Sequence, residues 1–398
     1  MAVEAKEIPV ANIERLVQPT HDERSRQRAV SMLRCHAIIN MRQAMQQDYE
    51  NRVEPALERR GEQPQDWKSI ESAMQSQPSY RFYSATRYNV QEMCYLCVQP
   101  AIERSLPEMI GVARELAEKS PAGGSLTLDP SLELPKHSQA LDIHLTPGWV
   151  YAEHTEDDVA QGAVITFGGK VFTGQHRYRN QPGAIGDSIA HWVEKRFPGF
   201  QPRRILDIGT TSGGNLLPYH DVFPDAEIHG IDVSAPVLRY GHALAQHAGV
   251  PVHFSQQNAE QTNFPDGHFD LIVSSFFFHE IPLRSTRKIL RECHRLLSPG
   301  GLMAHMELPD EVSVSDYENF FWNWDTRNNN EPWYTAYREQ DPVALCTEAG
   351  FAPASSFKLL IPDSRSFGPG FLEQCVSGEA NAPSHGEGGW VSFGARKA

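Results

Sequence analysis

The 398-residue chain is 40% hydrophobic and 22% charged, the balance of a folded protein with more length than one average domain needs. Its 50 Asp and Glu outweigh 36 Lys and Arg for a net charge of −14, and residues 199–398 hold 24 of those acids against 14 bases. A surface this acidic repels a phosphate backbone and argues against nucleic-acid partners; no run approaches the roughly 18 to 20 apolar residues of a membrane span, and the start MAVEAKEIPVANIERL lacks an apolar signal core, so a cytoplasmic location off the membrane is expected.

Residues 1–27 are polar and weakly patterned, an arm ordered only if another element holds it. From Arg28 to about Lys119, apolar residues recur at spacings of three and four in RAVSMLRCHAIINMRQAM and RYNVQEMCYLCVQPAIERSLPEMIGVARELAEK, which predicts helices. Between them Tyr80, Phe82, Tyr83 and Tyr88 form a dense aromatic cluster. Six scattered cysteines suit a reducing compartment. Cys94 and Cys97 form a C-x-x-C inside a helical run with no second pair, so they read as structural thiols, and no metal site is expected. After breaks at PAGG, LDP and LPK, one or two short strands are expected near Ala163–Phe167. His144, Trp149, Tyr151 and His154 are the most site-like group of this half, although each alone reads as structural. Residues 28–180 are therefore expected to form a mainly helical domain that caps a substrate, forms a homodimer, or both.

Residues 181–398 read as a second domain, entered through the helix IGDSIAHWVEKRF. Strand patterns RILDIG, AEIHGID, VHFSQQ, DLIVSSF and LMAHMEL alternate with helical ones, which specifies a parallel α/β sheet covered on both faces. The tail adds SSFKLLI and, after a Gly/Pro-rich stretch, WVSFGARK, whose hairpin-like return predicts an antiparallel final strand. The expected fold is a Rossmann-like, doubly wound, seven-stranded sheet with its last strand antiparallel.

The segment LDIGTTSGGN closes the first strand of this domain and is expected to open a helix, bringing backbone N–H groups to a nucleotide-like ligand. Asp207 selects among nucleotides. A carboxylate two residues before Gly209 repels a pyrophosphate but favours the ammonium and sulfonium of S-adenosylmethionine. Asp232, closing the second strand, suits ribose hydroxyls; Asn258 suits the adenine edge; Ser274 and Ser275 reach the sheet edge where ligands of such folds sit.

LDIGTTSGG, GIDVS, NAE, FDLIVSSFFFHEI and LLSPGGLMAHMEL, in that order, resemble the motif set of class I S-adenosylmethionine-dependent methyltransferases, over about residues 200–310. The resemblance implies S-adenosyl-L-methionine as cofactor. It assigns the methionine end to Asp207, Gly209, Thr210 and Gly213, the ribose to Asp232 and Val233, and the adenine to Asn258 and Ala259. Two positions depart from the pattern: Thr211 stands where the family has its middle glycine, with Gly214 as a conceivable offset, and Asn258 replaces an acid.

Methyl transfer from a sulfonium is an in-line displacement, so the protein must align the acceptor, exclude water and take a proton from any protic nucleophile. His279 and Glu280 follow the fourth strand of this domain and Glu307 ends its fifth, making these three the catalytic candidates; His279 could equally pack against the following helix. The connection DYENFFWNWDTRNNNEPWYTAY carries Phe320, Phe321, Trp322, Trp324, Trp333 and Tyr334, and reads as a lid over the substrate or as a helical insert packed on the first domain. A small-molecule acceptor, probed first at oxygen with sulfur or nitrogen open, is expected. The alternatives are a protein substrate or a catalytically silent partner protein.

Overall fold

A computed structural model describes residues 11–174 and 183–398. The first ten residues of the polar arm and the expected boundary at 180/181 lie outside the described residues. Residues 11–27 are held: the side chain of Thr20 caps a helix over His21–Cys35 through a capping box with Glu23, and Arg104 binds both Glu23 oxygens at 2.8 Å. The first long helix thus begins at His21, not Arg28, because Thr-His-Asp-Glu is a capping signal inside a stretch read as arm.

Among the described residues, eight strands form one sheet: β1 (Ser125–Thr127), β2 (Arg204–Ile208), β3 (Glu227–Asp232), β4 (Val252–Gln256), β5 (Phe269–Ser275), β6 (Leu297–Glu307), β7 (Ser356–Pro362) and β8 (Gly389–Arg396). Their spatial order is β1-β4-β3-β2-β5-β6-β8-β7; β1 to β6 pair in parallel, and β8 runs antiparallel to both β6 and β7. The expected seven strands become eight because β1, only three residues long, docks on the edge. Gly124 permits it, since a Cβ there would stand 2.2 Å from the Val252 carbonyl oxygen. The antiparallel last strand is as expected, but it is reached through a helix at Pro369–Ser377 instead of a hairpin.

Alternation along the strands builds the two covered faces. Ile205, Ile228, Val252, Leu271 and Leu302 pack beneath the helices Ala184–Arg196 and Ala235–Ala248. Leu206, Ile231, Ile272 and Met303 pack against the helices Leu283–Leu296 and Pro342–Glu348. Successive side chains of β2, β3, β5 and β6 enter opposite faces and both faces are apolar, as a buried doubly wound sheet requires.

The strands expected near Ala163–Phe167 are absent; the segment lies in a helix, Ala160–Thr173. Its β-branched run favours strand locally, but two glycines let neighbouring helices close on it: Cβ atoms at Gly162 and Gly168 would stand 2.3 Å from the side chains of Tyr240 and Tyr95. Tertiary packing here overrides propensity. The same contacts join the N-terminal helices to the sheet unit, with Cys94, Ile102, Met109, Val164, Tyr240 and Ala243 in one apolar cluster.

The aromatic connection is a helical insert, Asp316–Asn328, started by a Ser315/Glu318 capping box. Phe320, Phe321 and Trp324 are buried against Met45, Tyr49, Trp67 and Met74. Trp324 Nε1 donates to Ser84 Oγ at 2.8 Å, and Tyr80 stacks on Phe320. All six cysteines are free thiols; Cys94 and Cys97 are buried, and Cys94 Sγ lies 3.2 Å from the Val90 carbonyl oxygen.

Candidate functional site

Strand order reverses between β2 and β5, so their C-terminal ends open a crevice where ligands of this architecture bind. A cavity of about 1130 Å³ runs from this crevice toward the insert helix and the N-terminal helices. It has two chemically distinct ends.

At the first end, Gly209 and Gly213 turn the chain with φ of +67° and +74°, and Cβ atoms there would meet Phe277 at 2.3 Å and Phe254 at 2.8 Å. Thr211 adopts φ +48° and donates its backbone N–H to Asp232 Oδ2 at 3.0 Å, while Ser234 N–H donates to Oδ1 at 3.0 Å. Gly214 does not offset Thr211: it lies outside the left-handed region, and nothing stands within 4 Å of a Cβ placed on it. The loop does not open a long helix either. Residues 210–217 continue as turns and a short helix starts only at Pro218; within this stretch the Asn215 carbonyl lies against Gly186, where a Cβ would stand 1.7 Å away. The expected donors of a helix N-terminus are therefore replaced by those of the loop itself.

Asp207, Gly209, Thr210, Asp232, Val233, Asn258, Ala259 and Ser275 all line the cavity. Gly213 does not, and its part is conformational. Ser274 is a correction: it is fully buried on the opposite face of β5, with its hydroxyl 2.9 Å from His305 Nδ1, because successive residues of a strand point to opposite sides. Asn258 uses its Oδ1 to accept from the Glu260 N–H at 2.9 Å, which leaves its amide nitrogen for a ligand. Burial raises Asp207 to about 7, helped by the neighbouring Asp232, and raises Asp232 to about 6 despite the backbone donors it gains. Two buried acids exclude a pyrophosphate and suit a cationic, hydroxyl-rich nucleoside, so this donor set fits S-adenosylmethionine.

At the second end, five groups alternate in sign. Glu307 Oε2 lies 2.5 Å from His279 Nδ1; His279 Nε2 lies 3.4 Å from Glu280 Oε1; Glu280 Oε1 lies 2.8 Å from His144 Nε2; His144 Nδ1 lies 2.9 Å from Glu331 Oε1. Burial opposes a charge on His279, but Glu307 and Glu280 outweigh it and hold the imidazole well above its ordinary range. Burial likewise opposes the charge on His144, and Glu280 and Glu331 outweigh it. Burial pushes Glu280 up, but His144 and His279 more than reverse that, to about 2. His279 lines the cavity as expected, yet it holds a proton between carboxylates instead of standing as a neutral base. Glu307 is displaced from its expected place at the pocket mouth: it is 1% exposed, sits behind His279, and accepts the Phe278 N–H at 2.6 Å.

Of the N-terminal candidates, His144 and Trp149 line the cavity, whereas Tyr151 and His154 do not. Both lining residues are left-handed, with φ of +55° and +46°, and Phe276 after β5 has φ +56°. Non-glycine residues held in this region are strained, and here they cluster on one cavity wall. His144 is steadied through its carbonyl, which accepts from Gln91 Nε2 at 2.9 Å; Gln91 Oε1 in turn accepts from Arg87 at 2.8 Å. Glu331, Gln91, Arg87 and Asp325 went unremarked in the sequence, which offers no local signal for a group drawn from two distant stretches, 87–91 and 325–331. Phe172, Trp322 and Trp390 complete an aromatic wall, and the Arg34 guanidinium stacks 3.4 Å from the Phe172 ring.

Residues 205–301 match the family model described as a methyltransferase domain. The chain carries a class I S-adenosylmethionine-dependent methyltransferase domain. It is 35% identical over 108 residues to a demethylmenaquinone methyltransferase of Thermus thermophilus, covering 27% of this chain and 48% of that one. It is 32% identical to a ubiquinone/menaquinone biosynthesis C-methyltransferase UbiE of Vibrio parahaemolyticus, covering 31% and 49%. The chain thus spans about half the length of these relatives. Among solved structures, an O-methyltransferase family protein from Burkholderia thailandensis aligns with a TM-score of 0.40 at 14% identity, covering 61% of this chain and 60% of that one. A phosphoethanolamine N-methyltransferase 2 of Haemonchus contortus aligns at 0.38 with 18% identity, covering 55% and 53%. Among the described residues, no helix is long and apolar enough to cross a membrane.

Proposed function

We propose that this protein transfers a methyl group from S-adenosylmethionine to a hydroxyl-bearing small molecule held at the second end of the cavity. The observation that carries this reading is the continuity of the cavity: about 1130 Å³ join the acids Asp207 and Asp232 to the carboxylate–imidazole chain under the insert helix. Small-molecule sites commonly enclose about 300 to 1,000 Å³, so cofactor and acceptor fit together.

When bound, the cofactor supplies an electrophilic methyl group. Asp232 then accepts from ribose hydroxyls and Asp207 faces the cationic methionine end. Phe276, Trp149 and Trp390 exclude water from the reacting atoms, which strengthens every charge contact there. Neither His144 nor His279 is a free base, since the carboxylates flanking each imidazole favour its charged form and hold it well above its ordinary range. Glu280 has one oxygen without a hydrogen-bond partner; that oxygen accepts the hydrogen bond of the acceptor's hydroxyl, orients it, and takes its proton as the oxygen gains the methyl group and the methyl–sulfur bond breaks. The Thermus and Vibrio relatives are named for quinone and C-methyl chemistry, so a hydroxylated ring methylated at carbon is the second reading.

The test is transfer of labelled methyl from S-adenosylmethionine to a panel of hydroxylated aromatic small molecules, with the product atom assigned by NMR. A labelled small-molecule product supports the reading, and its labelled atom decides between oxygen and carbon. Asp232→Ala removes hydrogen bonds to a charged acceptor, each worth about 1.5 to 3 kcal/mol, and is expected to weaken calorimetric cofactor binding at least tenfold. Label that appears only in added protein, or no cofactor binding by the parent enzyme, overturns it.

A further inference from the structure

We propose that His144, Glu280 and Glu331 form a divalent-cation site in the acceptor half of the cavity. One ligand atom from each of the three lies within 4.8 Å of the other two, and all three residues line the cavity. They arrive from separate segments: His144 from the turn Ile143–Leu145, Glu280 from the turn Phe278–Glu280, and Glu331 from beyond the helix Asp316–Asn328. His144 turns one ring nitrogen toward each glutamate, and one imidazole nitrogen with two carboxylates on the cavity wall is a donor set for a borderline or hard divalent ion with open positions.

Unspent polar capacity points the same way. Glu280 Oε2 is buried without a hydrogen-bond partner. His144 Nδ1 lies 2.9 Å from Glu331 Oε1 but makes no directed hydrogen bond to it, so the ring nitrogen is beside the carboxylate and not bonded to it. Asn329 lines the cavity, is 4% exposed, and leaves its Oδ1 unpartnered while its Nδ2 donates to Glu331. A buried amide oxygen with no donor is costly unless a cation or cation-bound water fills its lone pairs.

The groups behind the three are arranged as a ligand-orienting shell. Thr326 Oγ1 donates to Glu331 Oε2 at 2.9 Å, Gln91 Nε2 fixes the His144 carbonyl at 2.9 Å, and Asn330 Nδ2 donates to the Asp142 carbonyl at 2.7 Å. Such partners set the direction of first ligands and are part of a metal site's affinity. The left-handed backbone of His144 is what brings its ring between the two glutamates, and backbone strain of this kind persists only where surrounding contacts enforce it. A cation here presents its open positions to oxygens of an acceptor, favouring molecules with two neighbouring oxygens. The cation site stands on its own residues; only this acceptor preference rests on the methyl-transfer reading.

The experiment is binding of Mn²⁺ to the full chain, stripped with chelator, followed by loss of the free-ion electron paramagnetic resonance signal and by melting temperature, without cofactor or acceptor. One saturable site per chain and a rise in melting temperature are expected, since an ion bound only to the native state stabilises it. Glu280→Gln and Glu331→Gln are expected to weaken binding at least tenfold, and His154→Gln to leave it unchanged. Electron spin echo on the parent protein should show a histidine-nitrogen coupling, a readout independent of whether the glutamine variants fold. No saturable binding, binding unaltered in both folded glutamine variants, or bound Mn²⁺ without nitrogen coupling overturns the site, and leaves the group as a proton-bridged ion network.

Discussion

Arg87 sets two nitrogens against the two carboxylate oxygens of Asp325, at 2.7 and 3.2 Å, although 238 residues separate the pair in the chain. The guanidinium is fully buried, and its third nitrogen reaches Gln91, which holds the His144 carbonyl. One ion pair thus ties the insert helix to the N-terminal helices and steadies the strained turn that enters the site.

Arg87→Met strands Asp325 beside an apolar cluster and releases Gln91. Removing one partner of a buried pair typically costs about 3 to 5 kcal/mol. A loss in this range is expected by urea denaturation, with a smaller loss for Asp325→Asn, whose carboxylate is 16% exposed. A loss below about 1 kcal/mol for Arg87→Met would mean that the pair is not what joins the two halves.

His279 and Glu307 are expected to behave as a unit. Each is nearly inaccessible to solvent, and removal of either leaves the other's charge in a dry environment. In a double-mutant cycle of His279→Ala and Glu307→Gln, residues in one such network show coupling of roughly 0.5 to 3 kcal/mol. Additive losses of stability would sink the pairing, and would return His279 to the role of an independent base suggested by its position after β5.

The cofactor end of the site was legible because its residues sit close together in sequence and repeat a known order: Asp207, Gly209, Asp232 and Asn258 fall on strand ends that alternation alone places at one sheet edge. Ser274 was misplaced by one step of that alternation, the distance that reverses a side chain's face. The acceptor end was half legible. His144, His279 and Glu280 were visible as single residues, but Glu331 reaches them only through the packing of Phe320, Phe321 and Trp324 on the first helices, and no local pattern encodes that docking. The helix at Ala160–Thr173 was hidden for a related reason: its β-branched residues signal strand, and what decides the matter is the fit of Gly162 and Gly168 against two tyrosines far away in the chain.

Cofactor affinity is expected to fall in mild acid. Burial raises Asp207 to about 7 and Asp232 to about 6, and the bound ligand's cationic and hydroxyl groups need both ionised. Because a ligand that requires the deprotonated form loses affinity as pH drops below the free protein's pKa, binding should weaken on the order of tenfold from pH 8 to pH 6 and more steeply below. Calorimetry with S-adenosylmethionine across this range checks it. Asp207→Asn should bind more weakly at pH 8 and show a flatter profile; a parent affinity constant from pH 8 to pH 5.5 would contradict the expectation.

Thr211 offers the sharpest test of the loop, because its backbone does the work of a glycine at φ +48° with a branched side chain attached. A left-handed conformation costs an L residue roughly 1 to 2 kcal/mol, whereas glycine gives back about 0.5 to 1 kcal/mol through the greater freedom of its unfolded chain. Thr211→Gly is therefore expected to raise stability by up to about 1 kcal/mol, and Thr211→Ala, which keeps the Cβ, to bring no such gain. The bond from the residue 211 N–H to Asp232 is a backbone bond and survives both changes, so ribose contacts should be preserved and cofactor affinity should stay within about threefold. If the glycine variant is no more stable than the alanine variant, the turn carries no strain at this position; if glycine instead weakens cofactor binding tenfold, the threonine side chain that lines the cavity contacts the ligand directly.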